Sequence, residues 1–412
     1  MTETALVTDY TASAGKSQNA PASAPADVVA RAMATTELGV LSSYHRNAAR
    51  GWGIAGVIVV AILAFAVLVY LIAGLGPDAF ALGGIMALVP LGIVFFGVRW
   101  IDRWEPEPRL AVIFAFLWGA AAAVIIALVV DYRVSDWVNS PNGPGPHAYA
   151  FFGATVQSPI VEESAKGLGV LLIFVVARRF FDSPVDGVVY AAWVAGGFAF
   201  TENILYFGGQ LLDVGRFDGS VLEIFLIRGI MSPFAHIMFT TCTGLAIGLA
   251  ARRGYGILGG VGFFLVGLVP AVLLHSLWNA ALYFVSDFYG YYAIVQVPLF
   301  LIAVTIVILL RRQEVRVTHD RLNEYAAAGW FNPSEVPALS TRRGRRVAMD
   351  WANRNGKGGE MKLYIRDATK LAFARQRIIT GRDKVGAQAD EAALLGAILV
   401  SRTALIGTSP AQ

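Results

Sequence analysis

Apolar stretches of about twenty residues recur eight times between residues 51 and 310. Each matches the length a helix needs to cross roughly 30 Å of hydrocarbon at 1.5 Å per residue. The expected spans are 51–74, 79–98, 110–130, 155–177, 186–208, 229–251, 259–284 and 293–310. Such a chain is all-α, a polytopic membrane bundle of about eight transmembrane helices. Hydrophobic residues make up 56% of it and charged residues only 15%, which excludes an average soluble domain.

The arginines orient the bundle, because positive charge near helix ends marks the cytoplasmic side. With the N-terminus inside, the inner loops hold Arg46, Arg50, Arg99, Arg103, Arg109, Arg178, Arg179, Arg252, Arg253, Arg311 and Arg312. The outer loops hold Arg133, Arg216 and Arg228. Eleven against three places both termini in the cytoplasm. Residues 1–45 are rich in Ala, Ser and Thr and read as a disordered arm without a signal peptide, so the first span is expected to be an uncleaved anchor. Residues 46–312 form the membrane domain. Residues 313–412 form a basic, partly helical tail holding 16 of the 33 Lys and Arg residues, suited either to solvent or to an anionic inner leaflet. The single cysteine, Cys242, excludes disulfides within the chain and a cysteine metal cluster.

Against this apolar background, the fourth to seventh spans carry Glu162, Glu163 and Lys166, then Glu202, then His236, then His275 with Asn279. A charge near the bilayer centre costs roughly 2.5–3.5 kcal/mol, so such residues point to a function. In the expected topology Glu163, Glu202, His236 and His275 all lie about 9–14 Å below the outer surface. Glu162 and Glu163 sit four and three residues before Lys166, which lets the ammonium face both carboxylates. Phe198, Glu202 and Tyr206 share one face, as do His275 and Asn279. Three glutamates against one lysine leave two uncompensated negative charges, which a divalent cation or protonation would neutralise.

DRWEPEPR at 102–109, EESAK at 162–166, FAFTEN at 198–203, His236 in PFAHIMFT and HSLWN at 275–279 occur in this order on successive helices. In that order they resemble the PrsW family of intramembrane proteases, related to the CAAX prenyl endopeptidase and bacteriocin-processing superfamily. The resemblance covers about residues 90–312. The wider superfamily carries motifs similar to EExxxR, FxxxH and HxxxN. Here position 167 is Gly, the cation is Lys166, and position 202 is Glu in place of His. These departures match the PrsW pattern.

The resemblance implies cleavage of a membrane-anchored protein near the outer face, with anti-sigma factors as the type of target. Peptide hydrolysis requires a base for water and stabilisation of an oxyanion. The expected roles are Glu163 as base, Glu162 oriented by Lys166, and His236, His275 and Glu202 as ligands of a zinc ion. Asn279 is the expected oxyanion donor or support. A metal-free alternative within the family has a glutamate activating water, while histidine and asparagine stabilise the oxyanion. The expected partners are the substrate and the lipid bilayer, with no nucleic acid. A transporter built on the same carboxylates and histidines is the rival reading. It is disfavoured because the halves show no repeat and the cytoplasmic ends of the fourth to seventh spans carry no second polar layer. A scaffold signalling through its tail would leave the buried charges unexplained.

Overall fold

The computed structural model describes residues 26–178, 181–381 and 384–406. Among these the regular elements are helices, and no strand occurs. The long ones are α1 (Ala26–Ile101), α2 (Arg109–Val138), α3 (Ser158–Val176), α4 (Pro184–Val214), α5 (Ala235–Arg252), α6 (Ile257–Phe284) and α7 (Val297–Ala327). They are followed by α8 (Glu335–Ser340), α9 (Arg342–Arg354), α10 (Gly358–Ile379) and α11 (Lys384–Ile406). Of the arm expected at 1–45, residues 1–25 lie outside the described residues; α1 begins at Ala26.

Among the described residues six helical stretches are long and apolar enough to cross a membrane. The first, Gly51–Ile101, contains two of the expected spans, because Gly76 takes φ 73° and ψ 161° just before Pro77 and breaks the helix there. Helix α3 is absent from the six; its Glu162, Glu163 and Lys166 make it too charged for a hydropathy criterion. Each of the eight expected spans therefore has a helical counterpart.

The chain divides into two compact units, Ala49–Ile308 and the combination of Met1–Ala48 with Leu309–Gln412. Helix α4 is the central element of the first, buried along most of its length. It starts at a capping box in which the Ser183 hydroxyl accepts from the Asp186 backbone N–H and the Asp186 carboxylate accepts from the Ser183 N–H. It ends at Gly215 with φ 70°. Small residues let neighbouring helices touch it backbone to backbone, as helix packing in lipid requires. A Cβ at Gly187 would lie 2.0 Å from the carbonyl oxygen of Gly244 on α5, and one at Gly244 would lie 2.2 Å from that of Gly187. Gly187→Val should therefore cost at least about 2 kcal/mol by overpacking. Gly209, with nothing within 4 Å of a Cβ, should accept Ala without loss. Thermal inactivation midpoints of the two purified variants check this contrast.

Near the start of α4, where no second polar layer was expected, the 102–109 motif supplies one. The Asp102 carboxylate accepts from the Glu107 N–H at 3.0 Å, and the Tyr190 hydroxyl donates to Glu107. Burial pushes the Asp102 carboxyl up to about 6 and that of Glu107 well above the usual carboxylate range. Both are thus held toward the neutral form that an apolar setting tolerates. This layer joins the loop to the capping box of α4, a structural role that hydropathy alone did not reveal.

The second unit has its own core, in which Leu322, Phe331, Leu339, Met361, Tyr364, Leu371 and Ile398 are buried. Ion pairs tie its helices together: Arg375–Glu324 at 2.9 Å, Arg377–Asp390 at 3.0 Å and Arg402–Glu335 at 3.0 Å. The tail is a folded helical unit.

Candidate active site

Helix α3 supplies the acidic pair and its cation. Lys166, with a fully buried side chain, points its Nζ at Glu163 Oε1 (2.6 Å), at Glu162 Oε2 (3.5 Å) and over the Phe198 ring on α4 (4.3 Å from its centre). The position after it accounts for the departure from the superfamily motif. A Cβ at Gly167 would lie 2.9 Å from Phe264 and 3.0 Å from Thr243, so a long cation does not fit there without displacement. The positive charge sits one residue earlier instead.

The two glutamates differ in what they already hold. Glu163 Oε1 faces Lys166 and, at 3.0 Å, His275 Nδ1 on α6; its Oε2 accepts from the Thr240 hydroxyl on α5 at 2.8 Å. Glu162 Oε1 accepts from the Ser158 hydroxyl one turn earlier, at 2.7 Å. Its Oε2 is buried without a hydrogen-bond partner, 3.9 Å from His275 Nε2. The expected base, Glu163, is thus the carboxylate saturated with donors, and Glu162 is the one with an oxygen to spare.

Glu202 on α4 is also occupied. Its Oε2 lies 2.5 Å from Arg228 Nη2 and 2.7 Å from His236 Nε2. Arg228 is held in turn by Asn203 Oδ1 at 3.2 Å and stacks over Tyr206, 3.7 Å from the ring centre. A carboxylate only accepts, so the ring N–H groups can be assigned from these contacts: His236 carries its proton on Nε2, His275 on Nδ1. The remaining nitrogens, His236 Nδ1 and His275 Nε2, have lone pairs. His236 Nδ1 faces Lys166 Nζ at 3.1 Å. The two rings stand edge to face with centres 5.2 Å apart, and Phe239 stacks on His275 at 5.0 Å.

Glu162, His236 and His275 each offer one ligand atom, and these atoms lie within 4.8 Å of one another. The orphaned Glu162 oxygen and the two imidazole lone pairs are the donor set a divalent ion takes. This differs from the expected set in one member: Glu162 stands where Glu202 was placed, because Arg228 holds Glu202 beside a histidine. Six of the seven expected residues come together. The seventh, Asn279, lies one turn beyond His275 and donates its amide to Ala154 O at 2.8 Å.

The sequence reading missed Thr240, one turn after His236, and Arg228, which had counted as an outer-loop charge. Three π-helical turns, Trp118–Ala123, Gly153–Gln157 and Leu226–Met231, present the Ala120 carbonyl to Thr201, the Ala154 carbonyl to Asn279, and Arg228 to Glu202. Arg228 changes the charge count. Three glutamates now stand against two cations, which leaves one negative charge, and Glu162 Oε2 is a buried carboxylate oxygen that no hydrogen bond reaches.

A family described as "PrsW family intramembrane metalloprotease" matches residues 107–304. Among curated proteins the chain is similar to "Protease PrsW" of Clostridioides difficile, 29% identical over 195 residues covering 47% of this chain and 76% of that one. It is 31% identical over 211 residues to the protein of the same name from Geobacillus kaustophilus, covering 46% and 84%. To that from Bacillus subtilis it is 28% identical over 190 residues, covering 46% and 78%. No solved structure matches.

Proposed function

The chain belongs to the PrsW family of intramembrane metalloproteases, a multi-pass membrane peptidase, and from that premise we propose how its residues divide the work of hydrolysis. The reading rests on one observation, the buried Glu162 Oε2 that lacks a hydrogen bond beside two histidines already oriented by other carboxylates. With no ion bound, Glu162 Oε2 takes the proton of the attacking water; with an ion bound, the same oxygen is a ligand. Its Oε2 is buried, no hydrogen bond reaches it, and the Lys166 ammonium stands off at 3.5 Å.

Glu162, His236 and His275 would hold a divalent ion, most simply zinc given two imidazoles. When bound, such an ion lowers the pKa of a water and polarises the scissile carbonyl. Glu163 and Glu202 fix the tautomers and ring orientations of His275 and His236, each glutamate being held in place by a cation, Lys166 or Arg228. The buried aromatic walls of Phe198 and Phe239 limit water around the two rings. Asn279, anchored by Ala154, keeps one further N–H to offer an oxyanion.

Arg228 acts through Glu202 and is a positioning residue. Arg228→Met should lower kcat by about 10–100-fold with KM little changed, the size typical of a lost outer support, and Arg228→Lys should recover part of it. Steady-state kinetics on a single-span reporter, normalised to folded protein and taken across pH, separates this from a folding defect, which would lower apparent kcat only through the active fraction and leave the pH profile untouched.

The substrate is a membrane-anchored protein cut near the outer face, with an anti-sigma factor as the type. Comparing membrane proteomes of cells carrying wild type or Glu162→Gln identifies it. Accumulation of no membrane protein in the variant would count against a proteolytic role in those cells. The arginine distribution puts both termini in the cytoplasm. A cysteine at Asn142 should label with an impermeant reagent in intact cells and one at Gly254 should not; the reverse pattern inverts the topology.

A further inference from the structure

We propose that the outer faces of α9 and α10 dock on anionic lipid headgroups of the bilayer the chain spans. The family match ends at residue 304, so this tail lies beyond everything that match accounts for. Within the tail unit the acids are largely consumed by internal pairs: Glu324 with Arg321 and Arg375, Glu335 with Arg402, Asp390 with Arg377, and Asp367 with Arg366. On α9 and α10 six cations remain exposed without an ion pair among the described residues. They are Arg342, Arg343, Arg346 and Arg354 on α9, and Lys362 and Lys370 on α10. Asp350 and Glu360 are the unpaired acids on the same two helices, which leaves four net positive charges there.

Their placement is regular. Lys362, Arg366 and Lys370 follow at i, i+4 and i+8, which makes one stripe along α10, and Arg366 stays 51% exposed despite its neighbour Asp367. On α9 the opposite face is fixed inward by Gly344, Ala348 and Ala352, with a Cβ at Gly344 only 2.1 Å from Pro337 O. The Arg345 guanidinium joins the two helices through Thr369 at 2.6 Å. Leu363, 44% exposed beside Lys362, adds an apolar contact of the kind an interfacial helix inserts. A basic helix face also fits nucleic acid. Covalent attachment decides for lipid: α9 begins about thirty residues after the expected end of the last span at 310, so a bilayer surface is always at high effective concentration.

The test uses the full chain in nanodiscs of phosphatidylcholine alone or with about 30 mol% phosphatidylglycerol. Trypsin cleavage after Arg343, Arg346, Lys362 and Lys370 is followed by mass spectrometry. Cleavage should be roughly fivefold slower with the anionic lipid, and the protection should vanish in about 0.5 M salt. The triple variant R343E/R346E/K370E should cleave equally in both discs at its remaining sites. Unchanged hydrogen exchange in α11 in that variant shows the unit still folded. Equal cleavage of wild type in the two discs overturns the proposal. Binding of a short RNA by the detergent-purified chain, with no lipid dependence, overturns it in favour of nucleic acid.

Discussion

Glu162→Gln is expected to reduce peptide hydrolysis by at least about a hundredfold, with membrane insertion and thermal stability unchanged. An amide keeps the volume of the carboxylate and removes its basicity, and loss of a positioned base costs roughly 10²–10⁴ in rate. Stability should hold because Glu162 Oε2 has no hydrogen bond to lose and Lys166 keeps its closer pair with Glu163 (2.6 Å against 3.5 Å), while Oε1 keeps an acceptor for Ser158 if the amide oxygen takes its place. The contrast with its neighbours is diagnostic. Glu163→Gln leaves Lys166, His275 and Thr240 facing an amide, so it should destabilise the bundle as well as lower activity. Glu202→Gln should lower activity only about 10–100-fold, since it acts through His236. Assays of the three variants at equal folded protein order them. A Glu162→Gln enzyme with wild-type kcat would remove Glu162 as the base and return that role to Glu163.

Much of this was legible in the sequence for a physical reason. Charged residues are so costly inside hydrocarbon that Glu162, Glu163, Lys166, Glu202, His236 and His275 stood out against their surroundings, and the structure brings all six together. The break at Gly76 and Pro77 falls in the gap between the expected spans 51–74 and 79–98. The division of labour was not. Which of two adjacent glutamates keeps a free oxygen depends on Thr240 and His275 reaching one and not the other, a three-dimensional matter on two other helices. Arg228 was hidden because an arginine near a span end satisfies the charge-distribution rule equally well as a loop residue. The π-helical turn that swings it onto Glu202 leaves no periodic trace. The tail showed its basic composition but not its fold, since the ion pairs that stitch α7, α8, α10 and α11 join residues far apart in the chain.

Purified protein is expected to hold about one divalent ion per chain. Removing it with a chelator should abolish cleavage, and zinc should restore it. The donor set argues for this outcome. His236 and His275 each give one ring N–H to a glutamate, and the opposite nitrogen is left with a lone pair. Glu162 adds an orphaned oxygen to those two nitrogens. In such carboxylate–histidine arrangements the second carboxylate raises ligand basicity, so Glu202→Gln should weaken the metal by about 10–100-fold without abolishing it. His275→Ala removes a ligand outright and should leave stoichiometry near zero. Protons compete for the same nitrogens, so retention should fall as pH drops through the ordinary histidine range near 6.5. Lys166 is the one group that opposes the ion, because its Nζ lies 3.1 Å from His236 Nδ1 and would have to turn wholly toward Glu163. Elemental analysis and activity measured on the same chelated sample decide the matter. A fully active sample free of metal would assign the chemistry to Glu162 and water alone, with the two histidines left to stabilise the oxyanion.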